Sequence, residues 1–254
     1  MSKPTSYADG APAWVELSVP DLDAAKEFYG QLLGWDFVAD NRPDRRYEYA
    51  LQGGLKVAGI QQKPEGSPLP TVWIVYLASS DLEVTLKEAV ERGAKVLAEP
   101  MCIPHRGRLA VFRDPTGAAV ALWEANGHLG AEVINEIGTT CWHEVLTHDI
   151  DAADEFYSAL FGYELHRVDD ETTILKLAGQ KVAGRRIIGQ KLQGKMPPHW
   201  QTYVWVADVE ATVAKLVELG GSVRFGPVTT PHGPLAGVAD PFGAHFTVMW
   251  STER

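Results

Sequence analysis

The sequence predicts an α+β fold of four βαβββ modules, paired into two domains whose curved mixed sheets form clefts. The main observation is a repeat, because residues 142–164 match residues 14–36 at 11 of 23 positions. In addition, four segments with helical apolar spacing each follow an aspartate, a residue type favoured as a helix N-cap. These aspartates are Asp21, Asp81, Asp149 and Asp208. Their spacings of 60, 68 and 59 residues indicate a fourfold unit arranged as two pairs.

The end of each half supplies a third observation. The motif Asp-Pro-x-Gly begins at Asp114 and again at Asp240, and an apolar, strand-like segment follows it each time. Proline at the second position and glycine at the fourth are typical of a type I turn. We therefore expect an N-terminal domain over residues 1–127, a linker over 128–137 and a C-terminal domain over 138–254.

The first module illustrates the unit. Residues 14–20 alternate and are rich in Val and Leu, which predicts a strand. The helix after Asp21 carries one apolar stripe and ends at Gly34, as a C′ glycine would end it. Three short strand-like runs follow. One such unit leaves an apolar sheet face open, so we expect two units to close a cleft together.

Composition limits the functions that we expect. The 254 residues carry a formal net charge of −10, which repels phosphate backbones and argues against nucleic acid as a partner. No apolar run approaches the roughly 18 residues of a membrane span, and the N-terminus does not resemble a signal peptide. We expect a cytoplasmic protein without a membrane partner. Cys102 and Cys141 lack metal-site or redox spacing and are expected to be free, apolar residues.

Two repeated motifs carry a family resemblance. "DLDAAKEFYGQLLGW" and "DPTGAAVALWE" resemble the glyoxalase, bleomycin-resistance and extradiol dioxygenase superfamily, also called vicinal oxygen chelate proteins. The resemblance covers almost the whole chain and is greatest to tandem two-domain members, which are labelled hydroxylase or 27 kDa antigen. It implies two glyoxalase-like domains. It does not imply one function, because the fold hosts metal-dependent lyases, oxygenases and isomerases as well as metal-free binding proteins.

The resemblance also implies positions for metal ligands, and this sequence departs from them. Relatives that use a metal have His or Gln seven residues before the first helix-capping Asp, and a Glu seven residues after the turn Asp. A third ligand, His, lies about six residues before the second capping Asp. The corresponding residues here are Trp14 and Trp142, Ala121 and Thr247, and Val75 and Thr202.

Divalent metals need three or four converging N, O or S ligands. Indole, methyl and isopropyl groups supply none, and the threonine hydroxyl is a weak ligand. The fourth position is harder to place, but the strands "KVAGIQQ" and "KVAGRRII" offer no carboxylate or imidazole. We therefore expect no metal at the family position and no cofactor.

Alternation along strands predicts which residues line the clefts. If the seventh residue before the capping Asp faces the cleft, so does the fifth, which places Glu16 and Glu144 there. The same counting assigns five tryptophans to cleft walls: Trp14, Trp73, Trp123, Trp142 and Trp200. On the last strand of the C-terminal domain it assigns His245, Thr247 and Met249.

Each assignment has two interpretations. The tryptophans either plug emptied metal pockets or form a stacking cage for a flat apolar or aromatic ligand. Glu16 and Glu144 either hold the fold through hydrogen bonds or act as general acid or base, and His245 is a further titratable candidate. His105 and His232 occupy matching loops, where a solvated role is the simpler interpretation. A one-residue slip in register would reverse every face.

The sequence therefore favours a protein that binds a small hydrophobic or aromatic metabolite in a Trp-lined cleft without the family metal. The first alternative is an enzyme of the same fold, a lyase, isomerase or hydroxylase-like catalyst, that uses Glu16, Glu144 or His245 in acid–base catalysis. A metal-dependent glyoxalase or dioxygenase follows if the metal positions are misassigned. An interaction protein with packed clefts is the last alternative. We expect a monomer with internal pseudo-dimer symmetry, or a homodimer.

Overall fold

Each half of the chain forms one eight-stranded sheet in the computed structural model, which describes residues 3–40, 45–192 and 194–250. The N-terminal elements are β1 Pro12–Val19, α1 Leu22–Leu33, β2 Asp36–Ala39, β3 Tyr47–Gln52, β4 Leu55–Gln62, β5 Trp73–Ala78, α2 Leu82–Glu91, β6 Lys95–Ile103, β7 Gly107–Arg113 and β8 Ala119–Ala125. The C-terminal elements are β9 Thr140–Thr147, α3 Ile150–Phe161, β10 Glu164–Arg167, β11 Thr172–Leu177, β12 Gln180–Ile187, β13 His199–Trp205, α4 Val209–Glu218, β14 Ser222–Thr230, β15 Gly233–Ala239 and β16 His245–Met249.

The two sheets have the same topology. The first runs β2-β3-β4-β1-β5-β8-β7-β6, and the second runs β10-β11-β12-β9-β13-β16-β15-β14. In each sheet the opening strand pairs parallel with the last strand of its own module and antiparallel with the opening strand of the next. The predicted α+β class with four βαβββ modules is confirmed.

The helix boundaries follow from local chemistry. Each predicted capping aspartate has an extended backbone and accepts a hydrogen bond from the backbone N–H three residues later. Gly34 and Gly162 end α1 and α3 with φ of 73° and 70°, the left-handed conformation that glycine adopts without a steric penalty.

The two faces of each sheet have different neighbours. In β1 the side chains of Val15, Leu17 and Val19 join the buried core that includes Leu22, Phe28 and other helix residues. We call this the helix face. The alternate residues, Trp14 and Glu16 among them, point to the opposite side, which we call the cleft face.

Tyrosines of the helices join the two domains through a symmetric pair of hydrogen bonds. Tyr29 on α1 donates to Oδ2 of Asp240 at 2.9 Å, and Tyr157 on α3 donates to Oδ2 of Asp114 at 2.8 Å. Both aspartates belong to the predicted Asp-Pro-x-Gly turns, and their Oδ1 atoms accept backbone N–H groups of the same turns. Each turn therefore fixes its own loop and the helix of the other domain.

No helix among the described residues combines the length and apolar character needed to cross a membrane. Both cysteines are free thiols. Cys102 is exposed and Cys141 is partly buried.

Candidate functional site

A row of four paired residues crosses the cleft face of the C-terminal domain. Trp142 on β9 pairs with Tyr203 on β13, Tyr203 with Thr247 on β16, and Thr247 with Gly237 on β15. Strands lie about 4.8 Å apart, so the row is about 14 Å long. Phe225 of β14 lies over Gly237, where a Cβ atom would collide with its ring. The row therefore begins at an indole and ends at a phenyl ring.

Glu144 is the polar centre beside this row. Only 4% of the residue is exposed. Its Oε2 accepts a 2.6 Å hydrogen bond from the Tyr203 hydroxyl and lies 3.4 Å from Nε of Arg186, and its Oε1 lies 3.3 Å from the Trp142 indole nitrogen. Burial, followed by the neighbouring Glu144 charge, raises the pKa of Tyr203 well above its usual value of 10.0. The phenol therefore stays protonated and serves as a hydrogen-bond donor.

Further polar groups extend the C-terminal cleft face. Gln201 donates to the Thr247 hydroxyl at 3.1 Å, and its amide oxygen lies 3.1 Å from Nε2 of His199. His245 lies on the same face at the start of β16 and is largely exposed. Partial burial, with Arg224 and His199 nearby, lowers its pKa from the usual 6.5, so it is neutral at pH 7.

The N-terminal cleft face is filled by the chain itself. The connector, residues 126–139 between β8 and β9, carries His128. The centroid of the His128 ring lies 4.5 Å from that of Trp14, 5.3 Å from that of Tyr49 and 5.8 Å from that of Trp123. The Trp123 indole donates to the His128 carbonyl at 2.8 Å. Ala131 further along the connector belongs to the same buried cluster.

The two cleft faces differ in the solvent exposure of their matching residues. Trp14 and Tyr76 are each 4% exposed, whereas their counterparts Trp142 and Tyr203 are partly exposed. The C-terminal face is the open one.

The predicted orientation of Trp73 and Trp200 is wrong. Trp73 pairs with Leu17 and Trp200 pairs with Val145, and both partners belong to the buried core on the helix face. Paired residues on neighbouring strands point to the same side. The Trp73 indole donates to the Tyr29 hydroxyl at 3.2 Å, and the Trp200 indole donates to the Tyr157 hydroxyl at 2.8 Å. Both tryptophans therefore support the interdomain hydrogen bonds.

The other predicted site residues divide between the two cleft faces. On the C-terminal face lie Trp142, Glu144, His245, Thr247 and Met249. On the N-terminal face lie Trp14, Glu16 and Trp123. Glu16 accepts a 2.7 Å hydrogen bond from Gln61, the counterpart of Arg186. How these residues act on a ligand stays a prediction.

The sequence prediction missed Tyr203 and Gln201 on the cleft face. Tyr76 and Tyr203 both lie five residues before a capping aspartate, as Glu16 and Glu144 do, and this shared offset was the available signal. The expected position of the family's third metal ligand, six residues before the capping aspartate, had instead selected Val75 and Thr202. Each of these residues directly precedes one of the two tyrosines. Both of these residues are buried, and Val75 belongs to the core on the helix face.

The side chains at the family's metal positions do not fit a divalent ion. On the N-terminal face the aligned residues are Trp14, Tyr76 and Ala121, and on the C-terminal face they are Trp142, Tyr203 and Thr247. On the neighbouring strand Gly184 offers no ligand, and a Cβ atom there would lie 2.8 Å from Cγ of Glu144 and 3.1 Å from the Trp142 nitrogen. Within the described part of the chain, Glu144 is the carboxylate that contacts the C-terminal set, and three or four converging donors are needed.

Among the described residues, one group of three His, Cys, Asp or Glu brings its donor atoms within 4.8 Å of one another, namely Asp81, Glu83 and Glu124. It lies at the start of α2 and not beside either aligned set. Its carboxylates already serve the local structure, because Glu83 and Glu124 both pair with Arg108 and Asp81 caps the helix.

Family comparisons agree with the two-domain architecture. Residues 11–122 match the family described as the Glyoxalase/Bleomycin resistance protein/Dioxygenase superfamily, and residues 141–249 match a glyoxalase-like domain. CFP32 of Mycobacterium tuberculosis, a provisionally named glyoxylase, is 36% identical over 258 residues, covering 98% of each chain. The anthracycline biosynthesis protein DauV of Streptomyces sp. strain C5 is 36% identical over 262 residues, covering 96% of this chain and 94% of DauV.

Solved structures show the same fold at low identity. The Mn(II)-bound glyoxalase from Novosphingobium aromaticivorans aligns with a TM-score of 0.64 and 16% identity, over 97% of this chain and 85% of the other. The 2,3-dioxygenase LapB from Pseudomonas sp. KL28 aligns with a TM-score of 0.65 and 14% identity, over 97% and 94%.

Proposed function

This chain belongs to the glyoxalase, bleomycin resistance protein and dioxygenase superfamily, and we propose that it binds a planar aromatic small molecule on its C-terminal cleft face without the family's divalent metal. The observation that carries the proposal is the open row from Trp142 to Phe225 beside the buried Glu144 centre. Aromatic walls with a few fixed polar groups are the usual construction of small-molecule sites.

The polar groups indicate which substituents the ligand carries. Arg186 has 47% of its side chain exposed, so its guanidinium can donate to oxygen atoms of a ligand. Tyr203 is partly exposed and its hydrogen goes to Glu144, so its hydroxyl oxygen can accept a hydrogen bond from a ligand hydroxyl. Because Glu144 and Arg186 compensate each other's charge, the site favours a neutral molecule. A polycyclic aromatic with hydroxyl or quinone oxygens meets these requirements. Anthracyclines have this chemistry, and two Streptomyces relatives are named for anthracycline biosynthesis.

The absence of a fitting donor set supports binding without the metal. Trp142, Gly184 and Tyr203 occupy the positions from which ligands would converge, and an indole and a phenol suit stacking and hydrogen bonding. A bound aromatic ligand would stack on the Trp142 and Tyr203 rings, which stand at the positions of the family's metal ligands.

The test is a fluorescence titration with 1,8-dihydroxyanthraquinone in the presence of EDTA. We expect saturable binding, weakened at least fivefold by Glu144→Gln and by Trp142→Ala. Glu16→Gln is the matched control, because Glu16 is the counterpart of Glu144 on the filled face, and it should leave affinity unchanged. Binding that requires added Mn²⁺, or that is insensitive to Glu144→Gln, would contradict the proposal.

An acid–base enzyme at the same face is the second candidate, and the 2.6 Å bond between Tyr203 and Glu144 favours it. In this arrangement the Glu144 carboxylate would receive a proton from a bound carbon acid or hydroxyl, and the Tyr203 hydroxyl would hold the carboxylate in place. Mass spectrometry of the anthraquinone recovered after incubation tests this candidate. Unaltered ligand after many protein equivalents would leave binding as the function, whereas conversion abolished by Glu144→Gln would establish catalysis.

A further inference from the structure

A second cavity lies in the groove between the domains, where Trp14 and Trp142 border it. It has a volume of about 550 Å³ and lies between the N-terminal segment, the connector, the start of β9 and the β11–β12 hairpin. Small-molecule pockets in proteins range from about 300 to 1,000 Å³. The groove is therefore large enough for an aromatic metabolite of two or three rings.

The walls of this groove are almost uncharged. Tyr7, Ile134, Leu177 and Val182 are among its lining residues, and Lys181, an exposed residue, is the one charged side chain among them. Tyr7 donates its hydroxyl to the Ala131 carbonyl at 2.8 Å, which ties the N-terminal segment to the connector. This bond gives the groove a fixed wall on that side.

His143 provides a polar atom on the wall of the groove. Its Nδ1 lies 3.5 Å from the Thr202 hydroxyl, and its Nε2 makes no hydrogen bond with any described residue. The imidazole lines the groove and is otherwise enclosed by protein, and this burial lowers the pKa of His143 to about 3. The neighbouring Cys141 is likewise uncharged, since burial raises its pKa to about 12.

The repeat places an apolar residue at the position that matches this histidine. His143 follows Trp142 as Val15 follows Trp14, and Val15 is a buried core residue. A polar atom at a position where the other half keeps a hydrocarbon costs stability unless a partner satisfies it. A ligand in the groove would supply that partner.

We propose that the interdomain groove is a second small-molecule site, which takes a neutral, largely apolar aromatic molecule whose single hydroxyl or carbonyl group hydrogen-bonds Nε2 of His143. The site is independent of the C-terminal cleft face, because Glu144 and Arg186 do not line it. Trp142 borders both sites, so it does not serve to distinguish them.

The probe pair is 2-naphthol and 2-methylnaphthalene, which have similar shape and differ in the hydroxyl group. Isothermal titration of the full chain at pH 7 should show a site that binds 2-naphthol more tightly than 2-methylnaphthalene. His143→Val should weaken 2-naphthol about tenfold and leave 2-methylnaphthalene unchanged. Glu144→Gln and Arg186→Gln should leave both affinities unchanged, which separates this site from the cleft face.

Equal affinities of the wild type for the two probes would overturn the proposal, as would an unchanged 2-naphthol affinity in His143→Val or a loss of binding in Glu144→Gln. If His143→Val does not fold, ¹⁵N-histidine NMR of the wild type decides. Saturation with 2-naphthol should shift the His143 Nε2 resonance, and no shift would overturn the proposal.

Discussion

Tyr203 donates its phenolic hydrogen to Oε2 of Glu144 at 2.6 Å, on the cleft face that the connector leaves open. The carboxylate is almost fully buried, so this bond compensates part of the cost of burying a charge. The same bond fixes the Tyr203 ring beside Trp142, its partner in the neighbouring strand. One interaction therefore contributes to stability and to the shape of the proposed site.

Tyr203→Phe should lower the free energy of unfolding by about 1–2 kcal/mol, because a hydrogen bond to a charged group is lost and Arg186 remains nearby. Urea unfolding of the wild type and of Tyr203→Phe measures this loss of free energy. A double-mutant cycle with Glu144→Gln should give a coupling energy of about 1 kcal/mol. Additive effects of the two substitutions would show that the bond contributes nothing.

Tyr29→Phe and Tyr157→Phe should each destabilise the protein by about 2 kcal/mol, since each removes a buried hydrogen bond to an aspartate of the other domain. The pseudo-symmetry predicts similar values for the two variants. Tyr163→Phe is the control, because the Tyr163 hydroxyl donates to the neutral carbonyl of Gly10, and the expected loss is about 1 kcal/mol. Urea unfolding of all three variants checks the order, and a Tyr163→Phe loss as large as the others would contradict it.

Trp14→Ala should mainly reduce the stability of the protein, whereas Trp142→Ala should mainly reduce its affinity for the anthraquinone. Trp14 is buried against His128 and Tyr49, so its removal should cost about 3–5 kcal/mol in unfolding free energy. Trp142 is partly exposed, so its removal should cost less stability and more anthraquinone affinity. Thermal unfolding and fluorescence titration on both variants test the contrast. Equal losses of stability would mean that the two cleft faces are equally packed.

Acid should destabilise the wild type more than His143→Val. The pKa of His143 falls from 6.5 in the unfolded chain to about 3 in the folded one, so the unfolded state binds the extra proton between these values. The contribution of the neutral His143 imidazole to the free energy of unfolding is fully present above pH 6.5. It decreases as the pH falls toward 3. The slope for one such group is at most about 1.4 kcal/mol per pH unit. Urea unfolding at pH 7 and pH 5 should show a smaller loss in His143→Val, and identical losses would contradict the burial of His143.

The fold was predictable because its signals are local and repeated. The capping aspartates, the glycine stops at Gly34 and Gly162 and the paired Asp-Pro-x-Gly turns each determine a short segment through backbone hydrogen bonds. The family resemblance in the repeated motifs is confirmed by the same two-domain matches.

The site was only partly predictable, because it depends on register between strands. Trp14, Glu16, Trp142 and Glu144 follow directly from alternation on the opening strands. Trp73 and Trp200 were placed on the wrong face by a one-residue difference in counting, which reverses the direction of a side chain. The closure of the N-terminal face by His128 depends on the path of the connector, and no local pattern encodes that path.

Native mass spectrometry of the chain purified without chelator, then mixed with 1,8-dihydroxyanthraquinone, decides whether the C-terminal cleft face binds an aromatic molecule without a divalent metal. It reports metal, ligand and oligomeric state in one spectrum. We expect an anthraquinone adduct with no stoichiometric divalent metal, and one anthraquinone per chain fewer in Glu144→Gln than in the wild type. A stoichiometric manganese, iron, nickel or zinc increment that ligand binding requires would contradict it.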